Sequence, residues 1–245
     1  MIRSIAPHVT VIDVTHEIPP HDVRAGSLAL VRSVQYLAPG VVLAVVDPGV
    51  GTDRRAIAVE VGDAGEAVFL GPDNGLLGAA VAMVGGSRRA VSLTNPDYQL
   101  EAPGPTFAGR DVFAPVAAHL CAGVPLDELG EVVDPMTLTP GLLPLPQEAD
   151  NGGLLASVLW VDRFGNVQLN VGPEDIEAMG DRVTVRWGDQ VRTARRVHTY
   201  AAIKPGEVGL VVDSYGLVSV ALDRASAAEH LRLRPGDGVT LAEPA

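Results

Sequence analysis

Val41-Val42-Leu43-Ala44-Val45-Val46-Asp47-Pro48-Gly49-Val50-Gly51 decides the fold class. An unbroken apolar run from Val41 to Val46, rich in β-branched side chains, predicts a strand buried on both faces. It stops at a carboxylate followed by Pro and Gly, so the strand ends in a turn. A carboxylate at the carboxyl end of an α/β strand lies where open sheets bind ligands. The flanking sequence agrees. Val9 to Val14 reads as another buried strand. Asp22 is placed to cap a helix from Val23 to Tyr36, which Pro39-Gly40 closes. Ala56–Val61 and Ala67–Leu70 read as strands, Asn74–Val84 and Gly109–Ala122 as helices. Strands interleaved with helices predict an α/β domain around a central, mostly parallel sheet.

The pattern changes further along. Residues 135–146 carry four prolines and no charge, and Asn151-Gly152-Gly153 follows, a linker composition. Beyond it come short strand-like runs: Leu154–Val161, Asn166–Asn170, Arg182–Trp187, Gln190–Val197, Gly209–Val212 and Leu217–Ala221. Turn signals separate them, which predicts an all-β barrel-like domain. The expected domains are therefore 1–146 and 153–245.

Composition narrows the function classes. The chain has 245 residues, with 18 basic and 30 acidic side chains and a net charge of −12. That is the reverse of a nucleic-acid footprint. With 47% hydrophobic residues a packed core is expected. The one cysteine, Cys121, excludes an internal disulfide and a cysteine-built zinc site, and fits a reducing compartment. No uncharged run reaches the length of a membrane helix. The opening Met-Ile-Arg-Ser lacks a signal-peptide layout. A cytoplasmic protein is the expectation.

Four segments hold candidate chemistry. In Asp47 to Arg55 the turn can fold back and set Arg54 beside Asp47; the same spacing fits a tight turn with a surface ion pair. Gly71-Pro72-Asp73-Asn74-Gly75 combines turn and cap residues, which suits a plain helix start as well as a site. Thr106-Phe107-Ala108-Gly109-Arg110-Asp111 opens a helix, where Arg110 and Asp111 fit a structural pair. Asp162-Arg163-Phe164-Gly165-Asn166 offers an acid, an aromatic and an amide, a set suited to an ammonium and a ring, or to an ordinary hairpin turn. The six histidines are scattered, with no i, i+4 pair for a metal. Phosphate-loop, nucleophile-elbow and dinucleotide fingerprints are absent from the sequence.

Taken in order, the segments resemble the S-adenosyl-L-methionine (SAM) hydrolase family, the SAM hydroxide adenosyltransferases, whose relatives are the fluorinating and chlorinating SAM enzymes. The matching pieces are Asp13 to Pro20, Val45 to Thr52 with Arg54-Arg55, Gly71 to Gly75, Thr106 to Asp111 without its third residue, and Asp162 to Asn166. The resemblance implies an N-terminal α/β domain, a C-terminal β-barrel and a homotrimer with sites at subunit interfaces. It implies attack of water or hydroxide on C5′ of SAM, giving adenosine and L-methionine, with SAM as substrate and no cofactor. Asp47 and Arg54 match the family's catalytic aspartate and arginine. Asp162, Ser214 and Tyr215 fall at positions facing the methionine end. Asn166, Tyr200 and the backbone near Arg224 fall at the adenine. Phe107, Phe164 and Asn74 complete the expected substrate-binding set. A halide-using relative carries different residues at the Asp47–Arg54 pair.

Two departures stand out. The family's catalytic histidine falls on Ala108, which cannot relay a proton, so weakened hydrolysis or SAM binding without turnover is expected. His119, about three helical turns further on, is the other histidine weighed for that role. The family's opening strand and Thr-Asp-Phe-Gly segment, whose aspartate binds the ribose diol, have no match. The chain starts at the equivalent of the first helix, and Tyr215 stands where halogenating relatives carry arginine.

Overall fold

Asp22 acts as the reading expects: its side chain accepts from the backbone N–H of Ala25 at 2.8 Å and starts a helix at Val23. In a computed structural model, which describes residues 1–62, 65, 67–141, 143–149 and 152–244, the chain divides into units at 1–142 and 143–245. Leu142 and Asn151 of the expected linker lie outside the described residues.

The first unit runs α1 (Ile2–Ile5), α2 (Val23–Val34), β1 (Val41–Leu43), β2 (Ala56–Val61), β3 (Ala67–Pro72), α3 (Gly78–Met83), β4 (Ser87–Ser92), α4 (Ala114–Cys121) and β5 (Glu131–Val133). Its sheet has the order β1-β3-β2-β4-β5. The α/β class holds, but the sheet is mixed rather than mostly parallel. Among the described residues β1–β3 is the one parallel pair of this sheet; β3–β2, β2–β4 and β4–β5 are antiparallel. For β2 and β3 the reason is the short stretch of sequence between them, since a parallel pair would need a long crossover.

One apolar cluster packs Leu30 and Val34 of α2 and Ala80 of α3 on Val59 and Phe69. The other packs Phe113 and Val116 on Ala58, Leu70 and Val91. The alternating side chains of β2 and β3 thus face helices on both sides. Two strand expectations change. Among the described residues Val9–Val14 joins no ladder, and Ile12 and Val14 are exposed. The run from Val41 is regular only to Leu43 and half-buried, because β1 lies at the sheet's edge.

The second unit runs β6 (Gln147–Glu148), β7 (Leu154–Val161), β8 (Val167–Leu169), β9 (Arg182–Trp187), β10 (Gln190–Val197), β11 (Val208–Val212), β12 (Val218–Leu222), α5 (Ala227–Leu231) and β13 (Gly238–Ala242). Pairing follows β13-β9-β10-β11-β12-β8-β7, and β13 pairs again with β7, which closes the barrel; β6 adds to β7. Closure leaves none of these seven strands with a free edge. Val158, Leu169, Val183, Ala194, Val220 and Leu241 fill the interior.

Candidate active site

The turn after β1 does fold back. Val50 N–H donates to the Asp47 carbonyl at 3.3 Å, and Thr52 closes on Gly49 through its N–H and hydroxyl at 3.1 and 2.6 Å. A Cβ on Gly49 would lie 3.2 Å from Arg54 Cγ, so glycine leaves room there for the Arg54 side chain. Arg54 then meets Asp47 side on. Its Nε donates to Oδ1 at 2.8 Å, and its Nη2 donates to Oδ2. The fork is bidentate, the strongest carboxylate–guanidinium arrangement. The side chains are 6% and 15% exposed, so this is no surface ion pair. Arg54 also lies 5.6 Å from the ring centre of buried Phe113, which favours a cation over its face.

The pair separates two clefts. Arg54 lines one of about 420 Å³ with Thr52, Leu100, Ala108 and Asp111. Asp47 lines another of about 320 Å³ with Thr15, His16, His21 and Val45. Ala108 sits at the mouth of a wide, π-type turn over Gly109–Phe113, where both Arg110 and Asp111 N–H groups reach the Phe107 carbonyl. Such turns are frequent at functional sites. The structure therefore sets Arg54 in one cleft with Ala108, and Asp47 joins them through its bonds to Arg54. His119 lines neither cleft; it packs edge-on against Tyr98.

Arg110 and Asp111 form the expected structural pair, Nε to Oδ1 at 2.5 Å, which holds the guanidinium above its ordinary range. Arg110 also covers exposed Phe107 at 4.8 Å. Asn74 faces the chain: its amide donates to the Val46 carbonyl at 2.9 Å and its oxygen accepts from Leu76 N–H. It thereby fixes the residue before Asp47. A second brace was not read from sequence. Buried Asp73 takes Arg55 Nε at 2.8 Å and Thr139 N–H at 2.7 Å, and Arg55 continues to the Thr137 carbonyl. Part of the proline-rich stretch expected as linker is thus pinned to β3. The missed signal was distance: Arg55 and Thr137 are 82 positions apart.

In the second unit, Asp162 Oδ1 accepts the N–H groups of Phe164 and Asn166, both at 2.8 Å, and Oδ2 accepts the Asn166 amide at 2.8 Å. The turn leaves Phe164 exposed. Ser214 and Tyr215 occupy a turn between β11 and β12, also exposed. Tyr200 is half-exposed, and its phenol titrates above the ordinary range, first through burial and then through the charges of Asp213 and Asp162. Arg224 holds a left-handed backbone (φ 50°) and an exposed side chain. Among the described residues no group of three or more His, Cys, Asp or Glu could hold a metal ion, and no helix is long and apolar enough to cross a membrane.

The models of the SAM hydroxide adenosyltransferase N-terminal and C-terminal domains match residues 1–130 and 156–240. The chain belongs to this family. A Salinispora tropica protein named (R)-S-adenosyl-L-methionine hydrolase is 48% identical over 97% of this chain and 88% of its own length. One of the same name from Thermus thermophilus is 41% identical over 98% and 91%. An Actinoplanes fluorinase is similar at 28% over 98% and 90%. A solved structure of an uncharacterized conserved protein from Thermotoga maritima superposes with a TM-score of 0.84 at 33% identity, covering 99% of this chain and 92% of that one.

Proposed function

We propose that the protein hydrolyses S-adenosyl-L-methionine to adenosine and L-methionine. The observation that carries this reading is the buried Asp47–Arg54 fork beside a cleft that Ala108 also lines. The relatives named as SAM hydrolases, 41–48% identical, support it. In the step, a water oxygen bonds to C5′ while the C5′–sulfonium bond breaks. The sulfur keeps the electron pair and leaves as the thioether of methionine, and the water loses one proton to solvent. SAM is the substrate, not a cofactor. The sulfonium is already a good leaving group, so the task is to present the oxygen in line and partly dehydrated. Arg54 favours the hydroxide form by charge, and Asp47 fixes the guanidinium plane. A homotrimer acting in the cytoplasm belongs to the same reading; the lone cysteine suits that compartment, and light scattering reads the trimer directly.

Ala108 offers no group to hold or relay the proton. General acid–base assistance is worth about 10²- to 10⁴-fold, or roughly 3–5 kcal/mol of barrier. Chromatographic release of adenosine and methionine from SAM by the protein and by Ala108→His tests the reading. Slow release by the protein and a gain of about 100-fold or more in the variant are expected. No product from either protein overturns it.

A further inference from the structure

The barrel carries the same turn twice. Asp162-Arg163-Phe164-Gly165-Asn166 and Asp213-Ser214-Tyr215-Gly216-Leu217 each place an aspartate first, an exposed aromatic third and a left-handed glycine fourth, φ 81° and 77°. In each, the aspartate Oδ1 accepts the N–H of the third and fifth residues. In each, the first and last residues also close backbone to backbone at 3.0 and 2.9 Å.

The two carboxylates differ at the other oxygen. An ionised carboxylate has about four acceptor sites. Among the described residues Asp162 Oδ2 takes only the Asn166 amide, so one site stays open. Asp213 Oδ2 takes Gln168 Nε2 at 2.5 Å and the Ser219 hydroxyl at 2.9 Å, so all four of its sites are filled. Gln168 and Ser219 are 3% and 2% exposed and face each other across β8 and β12. Polar side chains at such depth need partners, and Asp213 is the partner they share. Gln168 lies two residues beyond the first turn, so it links that turn to the second.

We infer that Asp213 is a positioning residue for specificity: it touches no ligand, and with Gln168 and Ser219 it fixes the Ser214–Tyr215 backbone so that the two turns together recognise the amino-acid end of the substrate. This rests on the SAM hydrolase reading. The Gln168–Asp213 bond and the pairing of β8 with β12 set the twin turns beside each other on the barrel. Asp162 keeps an acceptor for an ammonium hydrogen, and Asp213, its acceptor sites filled, holds the shape of its turn.

The test compares Asp213→Ala, Asp213→Asn and Ser219→Ala with the parent, using calorimetric Kd for SAM and for adenosine, and KM with kcat for SAM. Asp213→Ala frees the turn and should raise the Kd and KM for SAM on the order of tenfold, with a smaller change in kcat and adenosine affinity kept. Asp213→Asn keeps the Oδ1 acceptor, and Gln168 can invert its amide to match, so it should retain most SAM affinity. Ser219→Ala removes a single bond and keeps the fold if Asp213→Ala does not; its SAM KM should rise about threefold. Unchanged SAM affinity in both Asp213→Ala and Ser219→Ala, or equal loss for SAM and adenosine, overturns the inference while leaving the hydrolase reading intact. A parent protein that binds neither SAM nor adenosine overturns both.

Discussion

The two units use their aspartates in opposite ways. In the first, Asp47 directs both oxygens at one guanidinium, and the pair stands between two clefts. In the second, Asp213 directs both oxygens at N–H and O–H groups of its own barrel. A carboxylate held against a guanidinium makes a rigid, net-neutral pair beside the clefts. A carboxylate held by neutral donors keeps its charge while its bonds fix the shape of the turn. The scaffolds match these tasks: an open sheet presents its site on loops, whereas a closed barrel gives a short turn two fixed strands to spring from.

The largest expected effect tests the first half of that contrast. Asp47→Ala leaves a mostly buried guanidinium without its counter-charge, and one-sided removal of a buried pair costs about 3–5 kcal/mol. Release of adenosine should vanish with it. Replacing both partners together, Asp47→Leu with Arg54→Met, should recover most of the stability and none of the activity, because the desolvation penalty goes with the charges. Urea unfolding reads the first quantity and product chromatography the second. A single variant as stable as its parent would mean that the pair is solvated, and the contrast between the units would collapse.

A smaller effect separates the twin turns. Gly165 and Gly216 share a left-handed backbone, where any Cβ costs about 1–2 kcal/mol. Their surroundings differ. A Cβ at Gly165 would lie 2.1 Å from Ser226 Oγ, whereas one at Gly216 meets nothing within 4 Å. Ser226 cannot simply swing aside, because its hydroxyl accepts from Glu229 N–H and starts α5. Loss of such a cap costs about 1 kcal/mol. Gly165→Ala should therefore destabilise by at least about 1 kcal/mol more than Gly216→Ala, read as a difference in urea midpoints. Equal losses would show that the first turn moves as freely as the second.

The same contrast explains what was legible in the sequence. Leu154–Val161, Arg182–Trp187 and Gln190–Val197 were read with the boundaries observed, because a barrel strand has two neighbours and turn residues at both ends. In the first unit the exposed sheet margins misled. Val9–Val14 has strand composition but no partner among the described residues, and Val41–Leu43 looks like a central strand yet lies at the edge. Ser87–Ser92 was missed because Arg88 and Arg89 mask a strand whose Ala90 and Val91 are buried; Arg89 reaches sideways to Glu60 and Asp127. Asp47 and Arg54 could be suspected from spacing because the turn between them is short. Asp213 with Gln168 could not, since the two are 45 positions apart. The repeated turn also escaped, because an aspartate, an aromatic and a glycine in five positions are too few to register as a repeat.

The smallest effect links the two turns through Tyr200. Burial, then the charges of Asp213 and Asp162, hold its phenol protonated above the ordinary tyrosine range. The sign follows from linkage. In the unfolded chain the phenol ionises near pH 10; in the folded protein it ionises later, so the folded state holds the proton through that window. Its contribution to stability is complete below pH 10 and is lost as pH rises through the folded value. Absorbance near 295 nm, taken as the parent minus Tyr200→Phe, isolates this titration from those of Tyr36, Tyr98 and Tyr215. Tyr98 makes the subtraction necessary, since its hydrogen bond to Glu128 also raises it. Asp213→Asn should then move the Tyr200 midpoint back toward pH 10, because one of the two charges that suppress phenolate is gone. A midpoint unmoved by that substitution would mean that Tyr200 does not feel the second turn, and the twin turns would act as two separate features of the barrel rather than one recognition surface.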